Sequence, residues 1–144
     1  MASNTPDQAL GQYRTTGAYG AASAADRLQL ILRMMEGALD RIATAKGHMQ
    51  REETGRKCDE IGRAIKLVEG LRSCLDAEQG GEIAANLDVL YAYMSQRLLE
   101  ANLSDQPELL DEVFALLSEI KSGWQQLAAN PPPLSSPVAP GSIA

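Results

Sequence analysis

Proline is missing from the whole stretch between Asp7 and Gln106. A proline inside a helix costs about 3 kcal/mol, so this span admits long helices. Long apolar runs are missing too. With no stretch of about 18 or more apolar residues, no transmembrane helix is predicted. Basic charge is in short supply: 13 Lys and Arg stand against 19 Asp and Glu, a net charge of -6. That balance argues against a nucleic-acid surface, which needs a basic patch, and favours a soluble, self-repelling one. Residues 1–25 have neither the basic start nor the apolar core of a signal peptide, so the expected compartment is the cytoplasm. At 144 residues, 44% of them hydrophobic, the chain is long enough for one domain with a real core.

Reactive groups are equally scarce. There are two cysteines, Cys58 and Cys74, and both fall in one predicted helix. Sixteen residues of helix set them about 24 Å apart along its axis, whereas a disulfide needs Cα atoms within about 7 Å. Two small thiols, half-buried or buried, are the expectation. The single histidine, His48, cannot supply the paired Glu-x-x-His motifs of a di-iron bundle. Gly80-Gly81 has no strand before it and no Lys-Ser/Thr after it, so no phosphate loop is formed. The serines have no glycine-elbow context, and the carboxylates fall on predicted solvated faces mixed with Lys and Arg. No enzyme, metal or cofactor is expected.

What is present is helical period. Leu28, Ile31, Leu32, Met35, Leu39, Ile42 and Met49 recur at helical spacing after Asp26, a candidate N-cap. A second stripe runs through Cys58, Ile61, Ile65, Val68, Leu71 and Leu75 from a start near Glu53 or Thr54, and Gly80-Gly81 is expected to stop it. Gly62 and Gly70 weaken this helix and invite close approach of a neighbour. The third stripe comprises Ile83, Leu87, Leu90, Tyr91, Met94, Leu98 and Ala101, over about Glu82 to Asn102. Ser104 or Asp105 is the expected cap of the fourth helix, with Pro107 in its first turn. Leu109, Val113, Leu116, Leu117, Ile120, Trp124 and Leu127 form the fourth stripe.

Short connections between helices of similar length predict an all-α fold, an antiparallel up-down four-helix bundle. Its expected limits are 26–129. Residues 1–25, rich in Ala, Ser, Gly and Thr, read as a flexible arm or lid with room for a short extra helix. Residues 130–144, with Pro131-Pro132-Pro133, Pro137 and Pro140, read as a disordered tail.

With chemistry excluded, surface is left. The arm holds two of the four tyrosines, Tyr13 and Tyr19, and large aromatics in a flexible stretch need somewhere to dock. They either pack permanently on the bundle or form a displaceable lid over a partner groove. Tyr91 and Tyr93 lie on adjacent sides of the third helix, so both cannot face the core. His48, with Lys46 and Arg51 near it, reads most simply as a solvated polar residue. A phosphotransfer bundle using His48 is one alternative function, and a structural bundle that dimerises through a free apolar groove is another.

The run Gly80-Gly81-Glu82-Ile83-Ala84, then Asn86-Leu87, Leu90-Tyr91, Tyr93-Met94, Arg97-Leu98-Leu99 and Ala101-Asn102, resembles the flagellin export chaperone family, FliS. Ala64-Ile65, Leu71, Leu75-Asp76, Glu112-Val113 and Trp124 extend the likeness, which covers about Tyr13 to Leu127. Two places depart from the family pattern. Ala25-Asp26-Arg27 stands where Ala-Ser-Pro is usual, and Met34-Met35-Glu36-Gly37 where Leu-Tyr/Phe-Asp-Gly is usual.

The resemblance implies a cytosolic bundle that binds the disordered C-terminal segment of flagellin, prevents premature polymerisation and presents the subunit to the export gate. It also implies helix-in-groove recognition coupled to folding of the client. The candidates for the groove are Tyr13, Tyr19, Ile61, Ala64, Ile65, Val68, Leu87, Tyr91 and Met94. No nucleic acid or membrane insertion is expected, and a homodimer is the further option.

Overall fold

Alanine is the best helix former, and five alanines crowd the stretch from Ala18 to Ala25. The first helix accordingly begins ahead of Asp26. The computed structural model describes residues 17–75 and 77–130, with side chains placed for 24–75 and 80–130. Helix α1 is Gly17–Gln50, α2 is Thr54–Ser73, α3 is Ala77–Ser104 and α4 is Pro107–Ala129. Asp26 is therefore an exposed residue inside α1 and not its cap. Tyr13 and the tail 131–144 lie outside the described residues. Tyr19 lies on the first turn of α1, and its side chain is likewise outside them.

The connections are too short to let a chain cross over, so successive helices run antiparallel. α1 packs on α2, α2 on α3, α3 on α4, and α4 closes the ring against α1. The core between them is built from Met35, Ala38, Ile42, Ile61, Val68, Leu71, Tyr91, Met94, Leu98, Leu110, Val113 and Leu117, among others. The four-helix up-down bundle expected from the sequence is the observed fold.

Three details differ from the periodic reading. First, α2 stops at Ser73 and does not run on to Gly80. Cys74 caps it, and the Arg27 guanidinium takes up the Cys74 carbonyl at 2.5 Å. Gly81 still marks the real start of α3's long stretch, because at φ 53 it breaks the helix after one turn. Second, the α4 cap is Gln106, with no side-chain bond to the helix. Ser104 is already used on the Glu100 carbonyl (2.7 Å), and the Asp105 carboxylate is used on Lys57 (2.7 Å). Third, the stripe on α2 is shifted: Cys58 is exposed and Lys57 is buried.

The Lys57 ammonium is satisfied by the Asn102 carbonyl at 2.8 Å as well as by Asp105. It thus ties the start of α2 to the end of α3. Asp105 sits at φ 52, in the left-handed region that Asp tolerates better than most residues.

Gly70 permits the close approach expected of it. A Cβ there would meet Met34 Cε at 2.6 Å. Gly62 does not, because a Cβ at that position would meet nothing within 4 Å. It faces open space on α2. Neither cysteine forms a disulfide.

Candidate functional site

The nine groove candidates divide by burial. Ile61, Ala64, Val68 and Met94 are fully buried and Tyr91 is 1% exposed. These five are core residues in this conformation. The reason is register: they lie on the stripe nearest the bundle axis, where the four helices meet. Ile65 and Leu87 keep partial exposure and pack against the edge of the core. Tyr13 and the Tyr19 side chain lie outside the described residues.

The two tyrosines of α3 separate as helical period requires. Burial pushes the Tyr91 hydroxyl up to about 12, and a hydrogen bond with Trp124 opposes that rise. Tyr93 points outward along the α3–α4 seam. Its hydroxyl donates to Glu112 at 2.5 Å, and the Arg97 guanidinium lies 5.6 Å from its ring centroid. Arg97 also bonds Glu112 (2.9 Å) and Glu100 (2.9 Å). The bond from Tyr93, then that from Arg97, holds the Glu112 carboxyl below its ordinary value.

His48 is not freely solvated. Its side chain is 13% exposed and its Nδ1 lies 2.6 Å from Glu53 Oε1, with Arg51 at 3.2 Å from the same nitrogen. A phosphorylated histidine needs an accessible ring, so the phosphotransfer reading loses its residue. Among the described residues no group of three or more His, Cys, Asp and Glu is placed to hold a metal. No helix among them is long and apolar enough to cross a membrane.

The apolar surface that is open lies elsewhere on α3. Val89 is 67% exposed, Leu99 51% and Leu103 79%. Ile83, expected in the core stripe, is 71% exposed, because the bundle is one turn shorter there and α2 has already ended at Ser73. The α2–α3 register follows from three ties: Cys58 to Asn102 (3.2 Å), Ser95 to Glu69 (2.7 Å) and Arg72 to Asp88 (2.6 Å). Between them, Gly62 and Ile65 of α2 fall at the level of Leu99 and Gln96 of α3. The outer α2–α3 surface thus carries Gly62, which faces open space, and half-buried Ile65 on α2, beside exposed Leu99 and Leu103 on α3, with Glu69 on its α2 side. The sequence carried a signal for this surface. Val89, Leu99 and Leu103 belong to a second stripe on α3, beside the core stripe, and a search for one apolar face per helix passes over it.

A concavity sits between α1 and α4. It is lined by Ile42, Ala43, Lys46, Leu110, Asp111 and Phe114, with a volume of about 230 Å³. The Lys46–Asp111 ion pair crosses it at 2.9 Å. Ligand pockets usually run from about 300 Å³ upward, so it fits one or two side chains and not a helix.

Linkage gives the pH response. Glu53, bonded to His48, Asp88, bonded to Arg72, and Glu112 all have folded values lowered from 4.5, 3.8 and 4.5. Their stabilisation is present above those values and is lost as pH falls through the lowered ones. Tyr91 acts at the other end: its neutral form is held by the fold, so stability is lost as pH rises from 10 towards about 12. Urea midpoints should therefore be flat near neutrality, fall below about pH 4, and fall again above about pH 10. In the alkaline titration one tyrosine should ionise only with unfolding, as read from tyrosinate absorbance.

Residues 9–131 match the family profile described as "Flagellar protein FliS". The chain is 48% identical over 121 residues to the flagellar secretion chaperone FliSB of Pseudomonas aeruginosa, covering 84% of this chain and 96% of that one. It is 36% identical over 118 residues to flagellar secretion chaperone FliS of Vibrio cholerae (82% and 87%). Against that of Escherichia coli the identity is 34% over 127 residues (88% and 93%).

Proposed function

The chain belongs to the FliS family of flagellar secretion chaperones, and we propose that it holds the C-terminal segment of flagellin on the outer α2–α3 surface. Held there, the segment is kept from polymerising before export and is presented to the export gate from the cytoplasmic side. The observation that carries this reading is the row of exposed apolar side chains on α3, with Val89, Leu99 and Leu103 each more than half exposed on a chain of net charge -6. Large apolar side chains exposed together along one helix face support the reading of that face as an interaction site. A disordered client folding on it recovers the cost of ordering through apolar burial.

The work needs no chemistry from the protein, only a surface and a client shorter of partners than water can satisfy. Titration calorimetry with a peptide of the C-terminal segment of the bacterium's own flagellin tests it. Binding in the micromolar range or tighter is expected, with a gain of helix by circular dichroism and a negative heat-capacity change. Absence of heat and of added helix at high micromolar peptide contradicts the reading. Self-association without client, seen by light scattering and abolished by mutation of this surface, would favour the dimer instead.

A further inference from the structure

Two ion pairs bridge the seam between α1 and α4, Lys46 to Asp111 at 2.9 Å and Glu36 to Lys121 at 3.4 Å. On each helix the two pairs stand about 15 Å apart. The ties set Ala43 of α1 opposite Phe114 of α4, and both line the concavity between them. Ala43 is exposed and carries only a methyl group, and Phe114 is 39% exposed. An apolar recess between two neutralised charge pairs suits an uncharged apolar segment. Its burial stabilises, and neither ion pair has to be broken to admit it.

The chain carries such a segment. Beyond Asn130, the C-cap of α4, residues 131–144 contain no charged side chain. Pro131, Leu134, Pro137, Pro140 and Ile143 recur there at every third position. A polyproline II helix has three residues per turn, so this spacing lines all five along one edge. Ser135, Ser136, Gly141 and Ser142 fall on the other edges. Segments of this kind dock their prolines in grooves lined by aromatic rings.

Length agrees with the place. Phe114 and Leu110 lie about 24 and 30 Å back along α4 from Asn130. An extended run at about 3.1 Å per residue brings Pro137 to about 22 Å from Asn130 and Pro140 to about 31 Å. Ile143, at about 40 Å, leaves slack for the reversal of the chain. Tethering also gives this segment a high local concentration at the recess, which a second copy in solution lacks.

We propose that residues 137–143 fold back along α4 and seat Pro137 and Pro140 on the recess between Ala43 and Phe114. The chain thereby docks its own tail on the α1–α4 face, opposite the α2–α3 surface read above as the client's, and independently of that reading. The test uses the full chain with a photo-cross-linking amino acid at position 139, and the variants P137S/P140S and A43E. The tail substitutions lie outside the bundle and Ala43 is exposed, so circular dichroism should report unchanged helix.

Cross-links should join position 139 to the segments around Ala43 or Phe114 of the same chain, with a yield unchanged on about tenfold dilution. P137S/P140S and A43E should each lose them. In P137S/P140S, hydroxyl radicals should oxidise Phe114 about threefold faster, because a contact present most of the time is gone. Cross-links between chains that fade on dilution overturn the proposal and assign the recess to a second copy. Cross-links to α3 alone, none to α1 or α4, cross-links that survive A43E, or Phe114 oxidation unchanged by P137S/P140S overturn it as well.

Discussion

Tyr91→Ala should destabilise the bundle by about 3–5 kcal/mol in urea unfolding, a large part of the stability of a domain this size. Tyr91 is 1% exposed, sits among the residues where the helices meet, and has its hydroxyl hydrogen-bonded with Trp124. Alanine removes the ring and leaves a cavity that the close-packed core around it cannot collapse to fill. Tyr91→Phe keeps the ring and loses only the hydroxyl's bond, for about 1 kcal/mol. Tyr93→Ala, two residues on, should cost about 1 kcal/mol or less, because its partners Glu112 and Arg97 remain accessible to water and to each other. Equal losses for Tyr91→Ala and Tyr93→Ala would contradict the assignment of one ring to the core and the other to the surface.

The second large effect is asymmetric. The Lys57 side chain is 3% exposed, while its partner Asp105 is 63% exposed. Removing the charge of Asp105 leaves the Lys57 ammonium with neutral acceptors alone, the Asn102 carbonyl and, in Asp105→Asn, the side-chain amide oxygen. Asp105 itself stands in water, so losing its half of the pair costs about 1–3 kcal/mol, that of a buried donor deprived of one charged partner. Removing Lys57 instead leaves Asp105 in water, and a methionine of similar length refills the space, so the cost is about 1 kcal/mol or less. Asp105→Asn is the informative variant, because asparagine tolerates the same left-handed backbone and the loss is then electrostatic. Urea unfolding of D105N and K57M should show D105N as the less stable. The opposite order would mean that packing of the lysine stem, and not its charge, holds α2 to α3.

Helical period alone yields the four helices, their antiparallel order and most of the core. The stripes through Ile61, Val68, Met94, Leu98, Val113 and Leu117 are long and uninterrupted, and tertiary packing follows them. Helix ends were less legible. The alanines before Asp26 extend α1 because propensity outweighs a cap, and α2 ends at Ser73, where Arg27, distant in sequence, donates a hydrogen bond to the Cys74 carbonyl. Lys57 was illegible in principle. Its position reads as solvated until Asn102 and Asp105 are seen to close over it.

The candidate site was least legible, for a physical reason. Core and docking residues are chemically alike, and only burial separates Tyr91 and Met94 from Leu99 and Leu103. The family resemblance implied the kind of partner, and the docking proposed for it falls on a different set of side chains, on the exposed face of α3.

Hydroxyl-radical footprinting of the full chain, with and without the flagellin C-terminal peptide, tests the location of that meeting most directly. Val89, Leu99 and Leu103 should lose reactivity in the complex, while Leu30 on α1 and Phe114 on α4 react as before. Unchanged reactivity at the three α3 side chains with the peptide bound, or protection at Leu30 and Phe114 in their place, would contradict the account.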